Sequence, residues 1–339
     1  MVKKNVVGML GAGRISRVHA ENILKEPTAR FKTLADPFIT PETEAWAKSI
    51  GIEVVSTDPS SVFDDEEISC VYICSPTTTH CEYTIRACEK GKNIYCEKPI
   101  GKNLDDILKA VEAVEKSGVK YLLGNMRRFD VHHKKVRDTI ASGKIGTPET
   151  LRFVSREPGL PHFEFFAGSG GIFFDAMIHD FDLAQFYCAD EVVEVYAAGN
   201  NFVEPRLEQY KDVDTTIVML KLKNGTIGTV EACRRAAYAY DQRTEVHCSK
   251  GGIQLGNVLP TTTVIVDDAG TNIDKPEGFF IERYLDAFGA ATRAFFDMVN
   301  NDTPSPVSAR DGLKGVLIAI AAQKSYETGL PVKIADIKP

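Results

Sequence analysis

The stretch "VVGMLGAGRISRVHA", residues 6–20, decides the fold. Val6–Leu10 is a short apolar run. Gly11-Ala12-Gly13 breaks it, and the residues that follow space their apolar side chains at helical intervals. Glycines at such a turn let the backbone come close to a pyrophosphate, which then rests on the N-terminus of the following helix. A lone G-x-G arises by chance, but this one follows a predicted strand and opens a predicted helix from about Ile15. The third position of the fingerprint holds Ser16, small enough to keep helix and sheet close. The next strand, "FKTLAD", ends in Asp36, near the spacing of roughly 20 residues at which an acidic side chain meets the adenosine ribose. A carboxylate there accepts from the ribose hydroxyls and repels a 2′-phosphate. Pro37 and Phe38 supply no cation to reverse that, so NAD is expected over NADP.

Outward from this stretch, apolar strands alternate with amphipathic helices. "SCVYICSP" leads to a helix from about Thr79, "NIYCEKP" to one from about Leu104, and "KYLLGNMRRFD" closes the series. The alternation predicts a doubly wound parallel sheet covered on both faces, an α/β Rossmann domain over residues 1–124. Ser75 and Pro76 then fall at a strand's carboxyl end, where ligands bind in such sheets. From about residue 149 strand follows strand, with "KNGT" and "SKGG" placed as hairpin turns. Residues 125–339 are therefore expected to form a second α/β domain with an open, mostly antiparallel sheet. Its last helix is free to pack back on the first domain.

The 339 residues suffice for two domains, since single cores rarely outgrow about 250–300 residues. With a net charge of −7, the chain is not built to bind nucleic acid or an anionic membrane. No apolar run reaches the ~20 residues of a membrane span. The start "MVKKNVVGMLGAG" mimics a leader, but its apolar run is short and ends in the glycine loop, so it reads as the first strand. Eight scattered cysteines without a C-x-x-C pair read as reduced thiols of a cytoplasmic protein.

One more stretch carries chemistry. "GGIFFDAMIHDFDLAQFY", residues 170–187, reads as a single, mostly apolar helix, with Asp175, His179 and Asp182 at i, i+4 and i+7 on one face. Asp180 should point away from that stripe, and Asp182 is expected to be structural. A histidine titrates near working pH and serves as a general base, and a carboxylate one turn away can fix its tautomer. No third ligand accompanies the pair, so no metal is expected.

"YCEKPIG", residues 95–101, brings in a resemblance. Glu97-Lys98-Pro99 resembles the E-K-P motif of the Gfo/Idh/MocA oxidoreductase family. "GAGRISRVHA" and "CSPTTTH" resemble its cofactor motifs, and "GGIFFDAMIHDFD" resembles its catalytic helix. "GNMRRFD", "FVSREPGLP" and "RRAAYAYDQRTEVHCSKGG" resemble the inositol 2-dehydrogenase branch. The resemblance implies NAD held by Gly11, Gly13, Arg14, Ile15, Asp36, Ser75, Pro76, Thr77, His80, Glu97 and Lys98. It implies Lys98, Asp175 and His179 as the catalytic set. Arg127 or Arg128, Glu157 and Tyr238 join that set in lining a polyol or cyclitol pocket. It further implies a homotetramer formed through the open face of the second sheet. The branch more often has R-D-P where this chain has Arg156-Glu157-Pro158, an arginine where Gln185 stands, and an asparagine-serine lead-in where "EACRRA" stands. An aldose or another sugar is the alternative substrate. A non-catalytic NAD-binding sensor is the alternative of a different class.

Overall fold

The computed structural model describes residues 4–339; Lys3 and the rest of the leader-like start before it lie outside the described residues. The chain divides into two compact units. One holds the chain up to Phe129 with Asp286–Val316 and Pro339, and the other holds Asp130–Leu285 with Leu317–Lys338. Among the described residues no helix is long and apolar enough to cross a membrane.

The first unit is built on six strands: β1 (Asn5–Leu10), β2 (Ala29–Ala35), β3 (Val54–Ser56), β4 (Cys70–Ile73), β5 (Asn93–Cys96) and β6 (Tyr121–Leu123). Their order is β3-β2-β1-β4-β5-β6, and every pair is parallel. β4 and β6 are buried throughout because helices cover both faces. β3, a three-residue edge strand, is partly exposed and so lacks the apolar run that shows the others in the sequence pattern. The helices are α1 (Arg14–Leu24), α2 (Pro41–Ser49), α3 (Ser60–Phe63), α4 (His80–Glu89) and α5 (Leu104–Ser117). Tyr72 and Tyr95 stack at 4.6 Å in the core, and Phe295 and Phe296 from the helix Phe280–Asn301 pack against Tyr72.

The second unit carries β7 (Pro148–Arg156), β8 (Val192–Asn200), β9 (Thr215–Leu222), β10 (Ile227–Cys233), β11 (Asp241–Cys248) and β12 (Gly251–Leu255). The sheet runs β12-β11-β7-β10-β9-β8 and ends on Val332–Lys333. All its neighbours are antiparallel except β7 and β10. Buried and exposed residues alternate along β9 and β11, so one face is packed and the other is open. Tyr196 of β8, Ile217 and Met219 of β9 and Ile227 of β10 are exposed apolar side chains. The turn between β9 and β10 uses Gly225 at φ +95°, a left-handed position that suits glycine.

Between Asp130 and Cys188 this unit carries α6 (Val131–Ala141), α7 (Phe166–Ser169), α8 (Ile172–Asp175) and α9 (Ile178–Cys188). Asp130 caps α6, accepting from the N–H groups of His132 and His133, and pairs with Arg283 at 2.8 Å. The stretch 170–187 is two helices, not the single one expected. Gly170 and Gly171 both take positive φ, and the Asp212 carboxylate accepts the Ile172 N–H at 2.9 Å, which pins the start of α8. The turn after it is widened, because the Met177 N–H reaches back five residues to the Ile172 carbonyl at 2.9 Å. Asp175 thus closes one helix, and His179 lies in the first turn of the next.

Candidate active site

The dinucleotide-binding features of the first unit are made largely of backbone. Gly11 sits at φ +98°, and a Cβ there would stand 2.6 Å from the carbonyl of Cys74 and the nitrogen of Ser75. Only glycine allows β1 and β4 to close this tightly. A Cβ on Gly13 would meet nothing within 4 Å, so the approach to the start of α1 is open. No side chain caps α1 and no acidic residue lies in its first turn, whereas α2, α5 and α6 are capped by Thr40, Asn103 and Asp130. That helix end suits a pyrophosphate better than the other three. Arg14 and Ile15 form its first turn, and Ser16 is fully buried behind them, as the third position of the fingerprint requires.

Asp36 does more than the sequence suggested. Its two carboxylate oxygens accept the N–H groups of Ala12 and Phe38, each at 2.8 Å. The side chain at the ribose position therefore also fastens the glycine loop, and its remaining lone pairs stay available as acceptors.

At the next strand end, Ser75 and Thr79 exchange a hydroxyl hydrogen bond at 2.7 Å across Pro76 and Thr77. His80 is buried, its ring nitrogens 2.7 Å from the Pro99 carbonyl and 2.9 Å from the Ser75 carbonyl. Burial lowers its pKa, while those two carbonyls pull the other way. It ties the loop after β4 to the loop after β5.

Glu97 is buried and His19 fully so, and the two meet at 2.7 Å. The other Glu97 oxygen accepts the Lys98 N–H at 3.2 Å. Gly124 lies against this carboxylate, where a Cβ would come within 2.9 Å of it. The helix that follows the glycine loop is thereby coupled to the backbone that presents the half-buried Lys98. Nothing in the sequence motif pointed to His19. Arg128 is held by Asp311 at 3.3 Å and by the Pro306 carbonyl, while Arg127 is buried.

The second unit gathers side chains. The parallel pairing of β7 with β10 sets Arg156 opposite Cys233, so the next residues, Glu157 and Arg234, emerge side by side. The Arg234 guanidinium, 1% exposed, reaches Glu157 at 2.7 Å and Asp175 at 3.2 Å, and each of these carboxylates is 22% exposed. Burial works against the charge of Arg234, but Glu157, Asp175 and Asp212 outweigh it and raise its pKa. Burial pushes the Asp212 carboxyl up, against the N–H groups of Ile172 and Val213 and the nearby guanidinium. The Phe166 ring lies 5.4 Å from the Arg234 guanidinium carbon. His179, Asp180 and Asp182 are all buried, because α9 is enclosed on nearly every side; Asp180 does not face solvent. Tyr238 belongs to another network. Its hydroxyl accepts from Arg156 at 2.8 Å and donates to Asp241 at 2.7 Å.

Glu157 and Asp175 stand out separately in the sequence, whereas Arg234, which joins them, does not. The signal available was a charged pair, Arg234-Arg235, directly after an apolar strand.

Comparison with known proteins agrees with this geometry. Residues 6–125 match the model of the oxidoreductase family's NAD-binding Rossmann fold, and residues 133–254 match that of the GFO/IDH/MocA C-terminal domain. The chain is 37% identical to the myo-inositol 2-dehydrogenase of Thermotoga maritima, over 98% of this chain and 99% of that protein. It is 35% identical to the NAD(+)-dependent scyllo-inositol 2-dehydrogenase of Bacillus subtilis, over 97% and 96% of the respective chains. The scyllo-inositol dehydrogenase of Lactobacillus casei, solved with bound NAD(H) and scyllo-inositol, superposes with a TM-score of 0.92 at 29% identity, covering 98% of this chain and 100% of that one. The protein is an NAD-dependent oxidoreductase and belongs to the Gfo/Idh/MocA family.

Proposed function

We propose that the protein oxidises a secondary ring hydroxyl of a cyclitol, foremost myo-inositol, to the 2-keto product. The observation that carries this reading is similarity to inositol dehydrogenases over nearly the whole chain, which has Lys98, Asp175 and His179 in the motifs that resemble the family's. NAD, when bound, accepts the hydride. His179 takes the hydroxyl proton as general base. Asp175 supports the imidazolium that results. Lys98 places positive charge against the oxygen as it gains alkoxide character. Arg127 or Arg128 serves as the pocket arginine, and Arg128 is also paired with Asp311. Glu157 and Tyr238 complete the substrate side.

The departures at Glu157 and Gln185 favour a second reading, a sugar in place of a cyclitol. A panel of inositols and aldoses, each with NAD and with NADP and followed by absorbance of the reduced cofactor, separates the two. Turnover of at least one inositol, with NAD preferred, is expected. Turnover of an aldose and of no inositol would transfer the assignment to the sugar reading.

The reading extends to assembly and setting. The exposed Tyr196, Ile217, Met219 and Ile227 support association of the open sheet face into a homotetramer. All eight cysteines are free, which supports a reducing, cytoplasmic environment. Light scattering at micromolar concentration tests the first point: a tetramer is expected, and a monomer would remove it.

A further inference from the structure

The cluster around Arg234 has a consequence for substrate choice. A buried guanidinium spends its charge-assisted hydrogen bonds on two carboxylates that come from different elements, the end of β7 and the end of α8. Neither carboxylate is buried, and each keeps a partly exposed edge. An ionised carboxylate is acceptor-only, so the pair presents acceptors for hydroxyl donors held at a fixed separation. Vicinal hydroxyls on a ring supply such donors. Asp212, whose charge also favours that guanidinium, pins the first turn of α8 that carries Asp175. The charged groups that act on Asp212 are Arg234 and Asp175, and Asp212 itself acts on Tyr326.

We infer that Arg234 is a positioning and specificity-determining residue: it locks Glu157 and Asp175 into a carboxylate pair that reads two hydroxyls of the polyol, one of them on a carbon that does not react. This rests on the dehydrogenase reading above and deepens it, because it states what the pocket measures in a substrate. A site built to bond a hydroxyl rejects the analogue that lacks it strongly, by up to about 10⁴-fold, since its own polar groups are then left unmatched.

The test compares wild type, R234M and R234K on an inositol and on its deoxy analogue lacking the hydroxyl beside the reacting carbon. Reduced-cofactor affinity is measured by fluorescence, and folding by thermal melting. In R234M, kcat/KM for the inositol should fall by at least about 100-fold, because removing one partner leaves buried or crowded like charges. The preference for the inositol over its deoxy analogue should collapse to within about tenfold of unity. Cofactor affinity should not change. R234K restores charge but not the fork that grips two carboxylates, so it should recover about tenfold of the lost kcat/KM and little of the discrimination. A general loss of structure would lower both substrates together and leave their ratio intact. If R234M does not fold, E157Q carries the test: it keeps the shape, loses the charge, and should lose the discrimination with cofactor affinity intact. A folded R234M or E157Q with an unchanged ratio overturns the inference. If wild type turns over a polyol other than an inositol, the same ratio is measured on that polyol and its deoxy analogue. The substrate reading can then fail while the role of Arg234 stands.

Discussion

The glycine-loop region of the first unit and the Arg234 cluster of the second solve the same problem, presenting polar groups to a small ligand, by opposite means. The first uses backbone: Gly11 at φ +98°, an uncapped α1, and strand ends that close on one another. Its side chains, Asp36, His80 and Glu97, mainly hold backbone in place. The second uses ions: one buried guanidinium, three carboxylates near it, and a buried imidazole on α9. Backbone geometry tolerates any side chain that fits and fails sharply where one does not. An ion cluster fails when a single charge is left without its counter-charge. The two regions should therefore respond to mutation in different measurements, the first in cofactor affinity and the second in turnover and specificity.

The largest effect is expected at His179. His179→Ala should lower kcat by about 10²–10⁴-fold, the usual contribution of a positioned base, while reduced-cofactor affinity stays near wild type. Steady-state kinetics beside fluorescence titration separate these two quantities. A matched loss in cofactor affinity would break the division between the regions.

The next effect concerns stability of the second unit. Burial pushes the Asp130 carboxyl up, but Arg283 and the helix N–H groups outweigh it and hold its pKa below the usual range. A carboxylate whose folded pKa is depressed stabilises the fold above its unfolded pKa, about 3.9, and that stability is lost as pH falls through the lower folded value. Asp130→Asn leaves Arg283 without its counter-charge, so about 3–5 kcal/mol should be lost at neutral pH. The variant's thermal midpoint should then fall less steeply than wild type between pH 4 and 2, approximate limits set by that pKa. Melting curves across this range read both quantities.

A smaller change is expected at Gly11. Gly11→Ala imposes a left-handed conformation on a residue with a Cβ and drives that Cβ into the Cys74 carbonyl. The strain is about 1–3 kcal/mol, which should appear as roughly tenfold or greater weakening of NAD binding. The smallest effect belongs to Asp36→Ala, where the preference for NAD over NADP should narrow by about tenfold. Binding of both cofactors should weaken together, because the Ala12 and Phe38 N–H groups lose their acceptor.

The contrast also explains what could be read in advance. A glycine loop, its strand and its helix are contiguous, so Gly11, Gly13 and Asp36 declare themselves within 26 residues of sequence. The alternation of strands and helices fixed the parallel sheet, and the succession of strands with two hairpin turns fixed the antiparallel one. β3 escaped because it is a partly exposed edge strand, without the buried apolar run that marks the equally short β6. The helix at 170–187 was misread because the widened turn at Met177 leaves no trace in residue type; apolar side chains run straight through it. Arg234 escaped for another reason. Its partners lie 77 and 59 positions away: the parallel pairing of β7 with β10 brings Glu157 to it, and the placement of α8 brings Asp175. His19 and Glu97, 78 positions apart, meet for the same kind of reason.

Hydride transfer from a polyol carbon to NAD is tested most directly by supplying an inositol deuterated at the reacting carbon and analysing the reduced cofactor by mass spectrometry. Reduced cofactor that carries the deuterium is expected, formed by wild type and nearly absent with His179→Ala. Tight binding of NAD and inositol with no label ever reaching the cofactor would contradict it and leave a sensor built on an enzyme's fold.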